Sequence, residues 1–136
     1  MTGYFIRSPE VFALSEFIHS ALNQKIIRIN SKGIVRRSYG SAEEIVALSW
    51  HWLFSKQNPY SVNASSDILD LLEVANIINS IIGDVRIYHN IDHNKVVSDY
   101  SADTYLFKQK LKDAGISRIL IKEQIALSIM GIRANL

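Results

Sequence analysis

The segment between Asp70 and Gly83 constrains the fold of this chain more than any other. Residues 71–82, LLEVANIINSII, place apolar side chains at helical spacing. Asp70 and Glu73 have the spacing of a capping box, and Gly83 stands where a glycine commonly ends a helix. Runs typical of short strands flank this helix, PYSVN (59–63) and VRIYH (85–89). Helices mixed with short strands indicate an α+β domain with small peripheral sheets rather than one large parallel sheet.

The other helices are predicted from the same kinds of signal. The first opens at Ser8, with Pro9 in the first helical position, and ends near residues 23–24. Ser41 is the predicted N-cap of a second helix that fades near 56–58, with Glu44 completing a capping box. Two more helices are predicted at 103–113 and 118–132. The second helix is expected to turn four side chains inward: Ile45, Leu48, Trp52 and Leu53.

Short extended runs lie between these helices. IIRI (26–29) and IVRRSY (34–39) are joined by NSKG (30–33), a turn whose Asn and Gly accept positive φ. We therefore predict a β-hairpin over residues 26–39. Another short strand is predicted at KVVSD (95–99), which gives about five helices and four or five strands in all.

Composition limits the class of protein. The 136 residues fit one domain, 1–136, and 48% apolar residues are enough to form a core. A net charge of +2 offers no concentrated basic face, so we expect no nucleic-acid partner. The absence of cysteine excludes disulfides, and no apolar run approaches the roughly 20 residues of a membrane span. We expect a cytoplasmic protein without a membrane partner.

The sequence lacks the common catalytic motifs. It has no glycine-rich dinucleotide turn, no Walker A loop and no G-x-S-x-G, and Tyr105 does not begin a Y-x-x-x-K pair. His51, between two tryptophans, is interpreted as a helix residue rather than a catalyst. His89, Asp92 and His93 would bind a metal only if their polar loop folded back, and we assign no metal site. No catalytic residue is predicted in this chain.

Four segments, read in order, carry a resemblance to a known family. FIHSALNQKIIRINSKG (17–33) resembles a family segment like F-I-x-x-A-L-x-G-x-x-I-x-V-Y-G-D-G. RRSYGSAEEIV (36–46) resembles V-R-S-Y-x-Y-V-D-D-L-V, and YSVNASSDILDLLEVANIINSIIG (60–83) resembles Y-N-V-G followed by S-x-x-E-L-A and a later glycine. ADTYLFKQKLKDAG (102–115) resembles D-T-S-K and L-G more weakly. The family is that of the extended short-chain dehydrogenase/reductases, the NAD-dependent nucleotide-sugar epimerases and dehydratases.

The resemblance covers roughly residues 15–115 and implies a C-terminal, substrate-binding lobe. In this family the glycine fingerprint and the Y-x-x-x-K pair lie upstream, in the Rossmann half, which this chain lacks. The resemblance therefore implies a nucleotide sugar as ligand, NAD(P) as cofactor of a full-length enzyme, and neither cofactor binding nor turnover by this chain alone. Which nucleotide or sugar is bound, and whether the reaction is epimerisation, dehydration or reduction, is left open.

The resemblance also implies particular site residues. Arg37 matches a family arginine that commonly contacts the diphosphate, and a guanidinium suits this role because it forms bidentate, charge-assisted hydrogen bonds. Arg36, its neighbour on an alternating strand, should point to the other face into solvent. Ile27 and Ile29 match positions whose backbone meets the nucleotide base, and plain core packing is the alternative. Lys95, with His93, replaces a second phosphate-binding arginine that is missing here.

Departures from the family pattern indicate a distant or degenerate member. Asn63 replaces a glycine, Glu43 and Glu44 replace two aspartates, and Tyr105-Leu106 replaces S-K. The competing interpretation is a non-catalytic protein-interaction module with no small-molecule ligand. If the Rossmann half is missing, Tyr4 and its neighbours Phe5 and Ile6 should form an exposed apolar face that binds this half or drives self-association.

Overall fold

A computed structural model describes residues 2–4, 12–55, 61–92 and 98–134. Within these ranges the chain forms five helices and five short strands, which confirms the predicted α+β class. In chain order the elements are α1 Ala13–Gln24, β1 Ile26–Ile29, β2 Val35–Tyr39, α2 Ala42–Phe54, β3 Asp67–Asp70, α3 Leu71–Ile82, β4 Arg86–His89, β5 Ser98–Tyr100, α4 Tyr105–Asp113 and α5 Ile121–Arg133.

The strands form two small sheets, and the predicted hairpin over 26–39 is wrong. β1 pairs in parallel with β4, while β2 is the central strand of a second sheet in the order β3-β2-β5. β2 runs antiparallel to β3 and parallel to β5. The turn signal at 30–33 is local. Ile27 and Ile29 of β1 are buried, and β1 pairs with β4, in which Arg86 is the partner of Ile26.

Two of the predicted strands differ from those observed. Residues 61–63 of the predicted PYSVN strand are not in a strand, and residues 59–60 lie outside the described part of the chain. The strand before α3 is instead β3, directly adjacent to the helix. The described strand of the predicted 95–99 segment is β5, since residues 95–97 lie outside the described ranges.

The core lies between the helices and the first sheet. Its largest cluster joins α1, α3, α5 and β1 through fully buried isoleucines: Ile18, Ile27, Ile78 and Ile125. A smaller cluster between α2 and α4 contains Leu48, Phe107 and Leu111, with Ile45 and Trp52 packed against it. Leu53, predicted to face inward, is 70% exposed, because only one face of α2 meets α4.

Helix starts follow the predicted signals with one exception. Asp70 and Glu73 form the complete capping box at the start of α3. Ser41 caps α2 by accepting the N–H groups of Glu43 and Glu44. The Glu44 carboxylate, however, does not return to Ser41, because it is buried and accepts the N–H of Ile119 at 2.7 Å. The predicted start of α1 at Ser8 lies outside the described residues.

The first described residues are anchored between α2 and α5. The Thr2 N–H donates to the Gly40 carbonyl, and the Ala42 N–H donates to the Thr2 carbonyl, both at 2.9 Å. These bonds form an isolated parallel bridge between Thr2 and Ser41. The Thr2 hydroxyl also donates to Gln124, which is fully buried in α5. Residues 2–4 are therefore an integral part of this fold.

Candidate functional site

The two adjacent arginines lie on β2, the central strand of the three-stranded sheet. Arg36 is opposite Asp70 of β3 and Asp99 of β5, whereas Arg37 is opposite Leu69 and Tyr100. Because side chains alternate along a strand, the two guanidinium groups serve opposite faces of this sheet. Any ligand bound on one face can therefore use only one of them.

Arg37 is held in place by its own strand and by β5. Its Nη1 donates to the carbonyl of Arg36 at 2.7 Å and to the carbonyl of Ser98 at 3.4 Å. The guanidinium carbon lies 4.7 Å from the centroid of the Tyr100 ring, which is a cation–π distance. Nε and Nη2 make no hydrogen bond to the described residues, so one edge of the planar fork remains for an anion.

Arg36 lies on the other face, in a groove that carries the wrong charge for a phosphate. This groove of about 310 Å³ is lined by Arg36, Ile68, Leu69, Asp70, Glu73, Asp99 and Ser101. Arg36 is within 4.0 Å of the Asp99 carboxylate and its side chain is 53% exposed. One guanidinium against three carboxylates leaves a negative groove, which repels a diphosphate.

Neighbouring groups favour the ionised form of the Asp99 carboxyl. Hydrogen bonding from Ser101, with a smaller contribution from Arg36 and Arg37, lowers the pKa of the Asp99 carboxyl below its ordinary value. The carboxylate is therefore ionised at neutral pH and pairs with Arg36 on the exposed face. This pairing leaves Arg37 as the better of the two candidates for an anionic ligand.

For the segment that contains His93 and Lys95, the structure describes only the flanking residues, Asp92 and Ser98. Lys95 and His93 lie outside the described ranges. The Asp92 N–H donates to the Lys32 carbonyl at 2.7 Å, and the Ser98 N–H donates to the Ile34 carbonyl at 2.8 Å. Both flanking residues thus contact the approach to β2, and Arg37 itself reaches the Ser98 carbonyl. The assignment of Lys95 and His93 to the same site as Arg37 stays a prediction.

Ile27 and Ile29 occupy the first sheet, not the sheet of Arg37. Both side chains are buried in the largest apolar cluster, at 0% and 5% exposure. Their side chains therefore pack the core, and a nucleotide base would meet these residues through their backbone. This base contact also stays a prediction.

The sequence did not identify Tyr100 as a site residue. The predicted strand ended at Asp99, and the parallel register that sets Tyr100 beside Arg37 follows from pairing between distant segments. A second pair of this kind, Arg28 with Tyr88, lies on the first sheet at 5.5 Å. The sequence places an arginine and a tyrosine in two separate extended runs, which is compatible with a cation–π pair. Nothing local in the sequence shows that these two runs pair with each other.

Other kinds of site find no support within the described ranges. Residues 2–4, 12–55, 61–92 and 98–134 contain no group of three or more histidines and acidic residues able to hold a metal ion. His93, which could join His89 and Asp92 at a metal only if their loop folded back, lies outside these ranges. None of the described helices is long and apolar enough to cross a membrane.

Comparison with known proteins finds similarity in structure. No protein-family model matches the sequence, and no curated protein matches it. One similar structure is TunA, an NAD-dependent NDP-hexosamine 5,6-dehydratase involved in tunicamycin biosynthesis, with a TM-score of 0.69 and 18% identity. Pal from Bacillus thuringiensis has a TM-score of 0.69 and 15% identity. MoeE5, solved in complex with UDP-glucuronic acid and NAD, has a TM-score of 0.65 and 16% identity.

The similarity covers nearly all of this chain and less than half of each solved chain. The alignments include 94%, 98% and 96% of this chain, but 41%, 43% and 44% of TunA, Pal and MoeE5. This chain therefore spans less than half the length of each of these solved proteins. At these identities the similarity establishes the fold, and it agrees with the resemblance seen in the four sequence segments.

Proposed function

We propose that this chain forms the nucleotide-sugar-binding lobe of an NAD(P)-dependent nucleotide-sugar epimerase, dehydratase or reductase. The observation that carries the proposal is the shared fold over 94% and 96% of the chain with TunA and MoeE5. TunA is described as acting on an NDP-hexosamine, and MoeE5 was solved with UDP-glucuronic acid and NAD. The order of the four motif segments supports the same function.

The lobe would bind and orient the sugar nucleotide, and the reacting groups would lie in the nucleotide-binding half. Arg37 is the residue we assign to the diphosphate. Its Nη1 is anchored on two carbonyls and its plane on Tyr100, so little side-chain entropy remains to be lost when a phosphate binds. Lys95 and His93 are proposed as the additional cationic groups, and the backbone at Ile27 and Ile29 as the contact to the base.

The described residues do not fit NAD(P). A dinucleotide turn needs several glycines between a strand and a helix, so that the backbone approaches the pyrophosphate closely. Gly40 is the one glycine at the described strand-to-helix junctions, and a Cβ there would lie 2.3 Å from the Ala64 carbonyl oxygen. This glycine accommodates the chain's own backbone. Hydride transfer therefore belongs, in this proposal, to a part of the enzyme outside this chain.

The test is a titration of the ¹⁵N-labelled chain, followed by NMR, with UDP-glucuronic acid and separately with glucuronic acid. Because half of the pocket lies outside the chain, we expect a dissociation constant on the order of 1 mM for the nucleotide sugar. The largest shifts should fall on the Arg37 side chain and on β5, and free glucuronic acid should produce none. If the nucleotide sugar leaves Arg37 and β5 unperturbed, the alternative of an interaction module without a small-molecule ligand is favoured.

A further inference from the structure

Helix α2 is apolar on two opposite faces. Nine of its thirteen residues are apolar. One face packs Leu48 onto Phe107 and Leu111 of α4. The other face presents four large apolar side chains to solvent, each 54–72% exposed, and we call these residues the outer α2 stripe: Val46, Trp50, Leu53 and Phe54. A helix that is apolar all round is normally buried on all sides.

The stripe is continuous along the helix. Trp50 lies four residues after Val46, three before Leu53 and four before Phe54, so all four side chains lie on one side of α2. The rings of Trp50 and Phe54 are stacked with centroids 5.4 Å apart and planes within 1°. A contiguous exposed patch that includes two aromatic rings is typical of a protein interface rather than of a solvated surface.

The local topology indicates which kind of layer covers this stripe. α2 follows β2 through Ser41, and Ser41 forms a parallel bridge with Thr2. Parallel strands occur almost always in α/β sheets whose faces are covered by the helices that follow the strands. α2 follows β2, which pairs in parallel with β5, and its second apolar face is the composition expected of a helix packed on a further sheet.

The compared structures contain the additional chain that such a layer requires. TunA, Pal and MoeE5 share this fold over 41–44% of their chains, so more than half of each chain lies outside it. We propose that the outer α2 stripe is the docking surface for the α/β layer of an NAD(P)-binding half. This inference rests on the proposed function and adds to it the surface by which the lobe meets its partner. The sequence predicts this surface instead at Tyr4, Phe5 and Ile6, of which the last two lie outside the described residues.

Photo-crosslinking tests the docking surface in the cells that carry the gene. Trp50→p-benzoylphenylalanine is introduced into the natural full-length protein, and the crosslinked peptide is identified by mass spectrometry. The expected peptide comes from an α/β domain with a glycine-rich dinucleotide turn, either in the same chain or in a second one, and that domain binds NADH or NADPH. Met130→p-benzoylphenylalanine is the matched control, since Met130 is 57% exposed on α5, and it should not give this peptide.

Each other outcome overturns the inference. A link from position 50 to a second copy of residues within this fold indicates self-association instead. A link to a protein without a dinucleotide turn indicates a different partner, and an equal yield from position 130 indicates random contact. The absence of any link shows that the stripe stays in solvent.

A double variant separates the failure of this inference from failure of the proposed function. Trp50→Gln with Phe54→Gln removes apolar area that is already exposed, so the isolated chain should fold and retain the UDP-glucuronic acid shifts at Arg37. In the full-length protein the same variant should weaken the association of the two halves: at least tenfold in affinity where they are separate chains, and as at least tenfold faster limited proteolysis between them where they are one chain. Unchanged association overturns the docking surface, whereas missing nucleotide-sugar shifts in the unmodified chain overturn the proposed function itself.

Discussion

The Arg37 guanidinium is held at Nη1, and its Nε and Nη2 edge makes no hydrogen bond to the described residues. Nη1 donates to two carbonyls and the ring of Tyr100 supports the guanidinium plane. Because the Tyr100 side chain is itself 74% exposed, this support lies at the surface, where a ligand can reach it. Arg36, one residue away, is instead committed to Asp99 on the opposite face.

Tyr100→Leu should weaken nucleotide-sugar binding without removing the cation. A cation–π contact at an exposed site contributes about 0.5–1 kcal/mol, which corresponds to a loss of roughly 2–5-fold in affinity if the contact positions Arg37 for the phosphate. The matched control is Tyr88→Leu, which removes the equivalent ring from Arg28 on the other sheet. Titration of both variants with UDP-glucuronic acid should show the loss for Tyr100 alone, and an equal loss for both would contradict a specific role of this ring.

Tyr39 gives the fold a pH dependence in the alkaline range. Burial of the phenol, opposed by Arg37 and assisted by Asp70, raises the pKa of Tyr39 to about 12 from 10.0. The unfolded chain loses the phenolic proton above pH 10, whereas the folded chain retains it to about pH 12. The stabilisation is therefore fully present below pH 10, and about 2–3 kcal/mol of it is lost as the pH rises to 12.

Tyr39→Phe should flatten this pH dependence. Urea unfolding at pH 9 and at pH 11.5 should show a smaller decrease in the free energy of unfolding for the variant than for the unmodified chain. Tyr105→Phe is the control, since Tyr105 is 71% exposed. Identical decreases in the unmodified chain and in Tyr39→Phe would show that Tyr39 does not titrate abnormally.

At the scale of the elements, α3 depends on a reciprocal cap. The Glu73 N–H donates to Asp70 at 2.8 Å, and the Asp70 N–H donates to Glu73 at 2.7 Å. Asp70→Ala should lower the free energy of unfolding by about 1 kcal/mol, because an N-terminal donor of the helix loses its acceptor. Asn76→Ala, on an exposed turn of the same helix, should leave it unchanged or raise it slightly. Chemical denaturation measures both, and an effect of Asp70→Ala no larger than that of Asn76→Ala would refute the cap's contribution.

The sequence was informative about helices and much less so about strand pairing. Local residues mark the ends of two helices, and the structure confirms each of them there: Ser41 at the start of α2, Asp70 and Glu73 at the start of α3, and Gly83 at its end. Strand pairing depends on which distant segments bury Ile27 and Tyr39, and the residues next to them in sequence do not indicate this. It joins β1 to β4, and β2 to β3 and β5. Glu44 shows the same limit at a single residue, since a tertiary partner, Ile119, replaced the expected local one.

At the scale of the whole molecule, the N-terminal segment is fitted against α5. A Cβ at Gly131 would lie 1.8 Å from the Tyr4 carbonyl oxygen, so this helix position must be glycine for residues 2–4 to approach. The Gly3 N–H then donates to the Ser128 hydroxyl at 3.0 Å. The sequence showed Gly131 only as a glycine within a helical pattern, and the need for it became visible from the packing.

Gly131→Ala should displace residues 2–4 and lower the free energy of unfolding by on the order of 1–3 kcal/mol. Gly83→Ala is the control, because φ of 76° strains an alanine there while its Cβ would meet nothing within 4 Å. Hydrogen exchange distinguishes the two variants. The Gly3 amide should lose protection in Gly131→Ala and keep it in Gly83→Ala, and retained protection in both would show that the close approach is not required.

The proposed function depends on Arg37 holding the diphosphate of a nucleotide sugar. The most direct measurement is the dissociation constant of UDP-glucuronic acid for the natural full-length protein and for its Arg37→Ala and Arg36→Ala variants, by calorimetry. A charge-assisted hydrogen bond contributes about 1.5–3 kcal/mol, so Arg37→Ala should raise the constant tenfold or more, with stability nearly unchanged. Arg36→Ala, on the opposite face, should change the constant by less than about twofold. Equal effects of the two substitutions, or no effect of Arg37→Ala, would contradict the account.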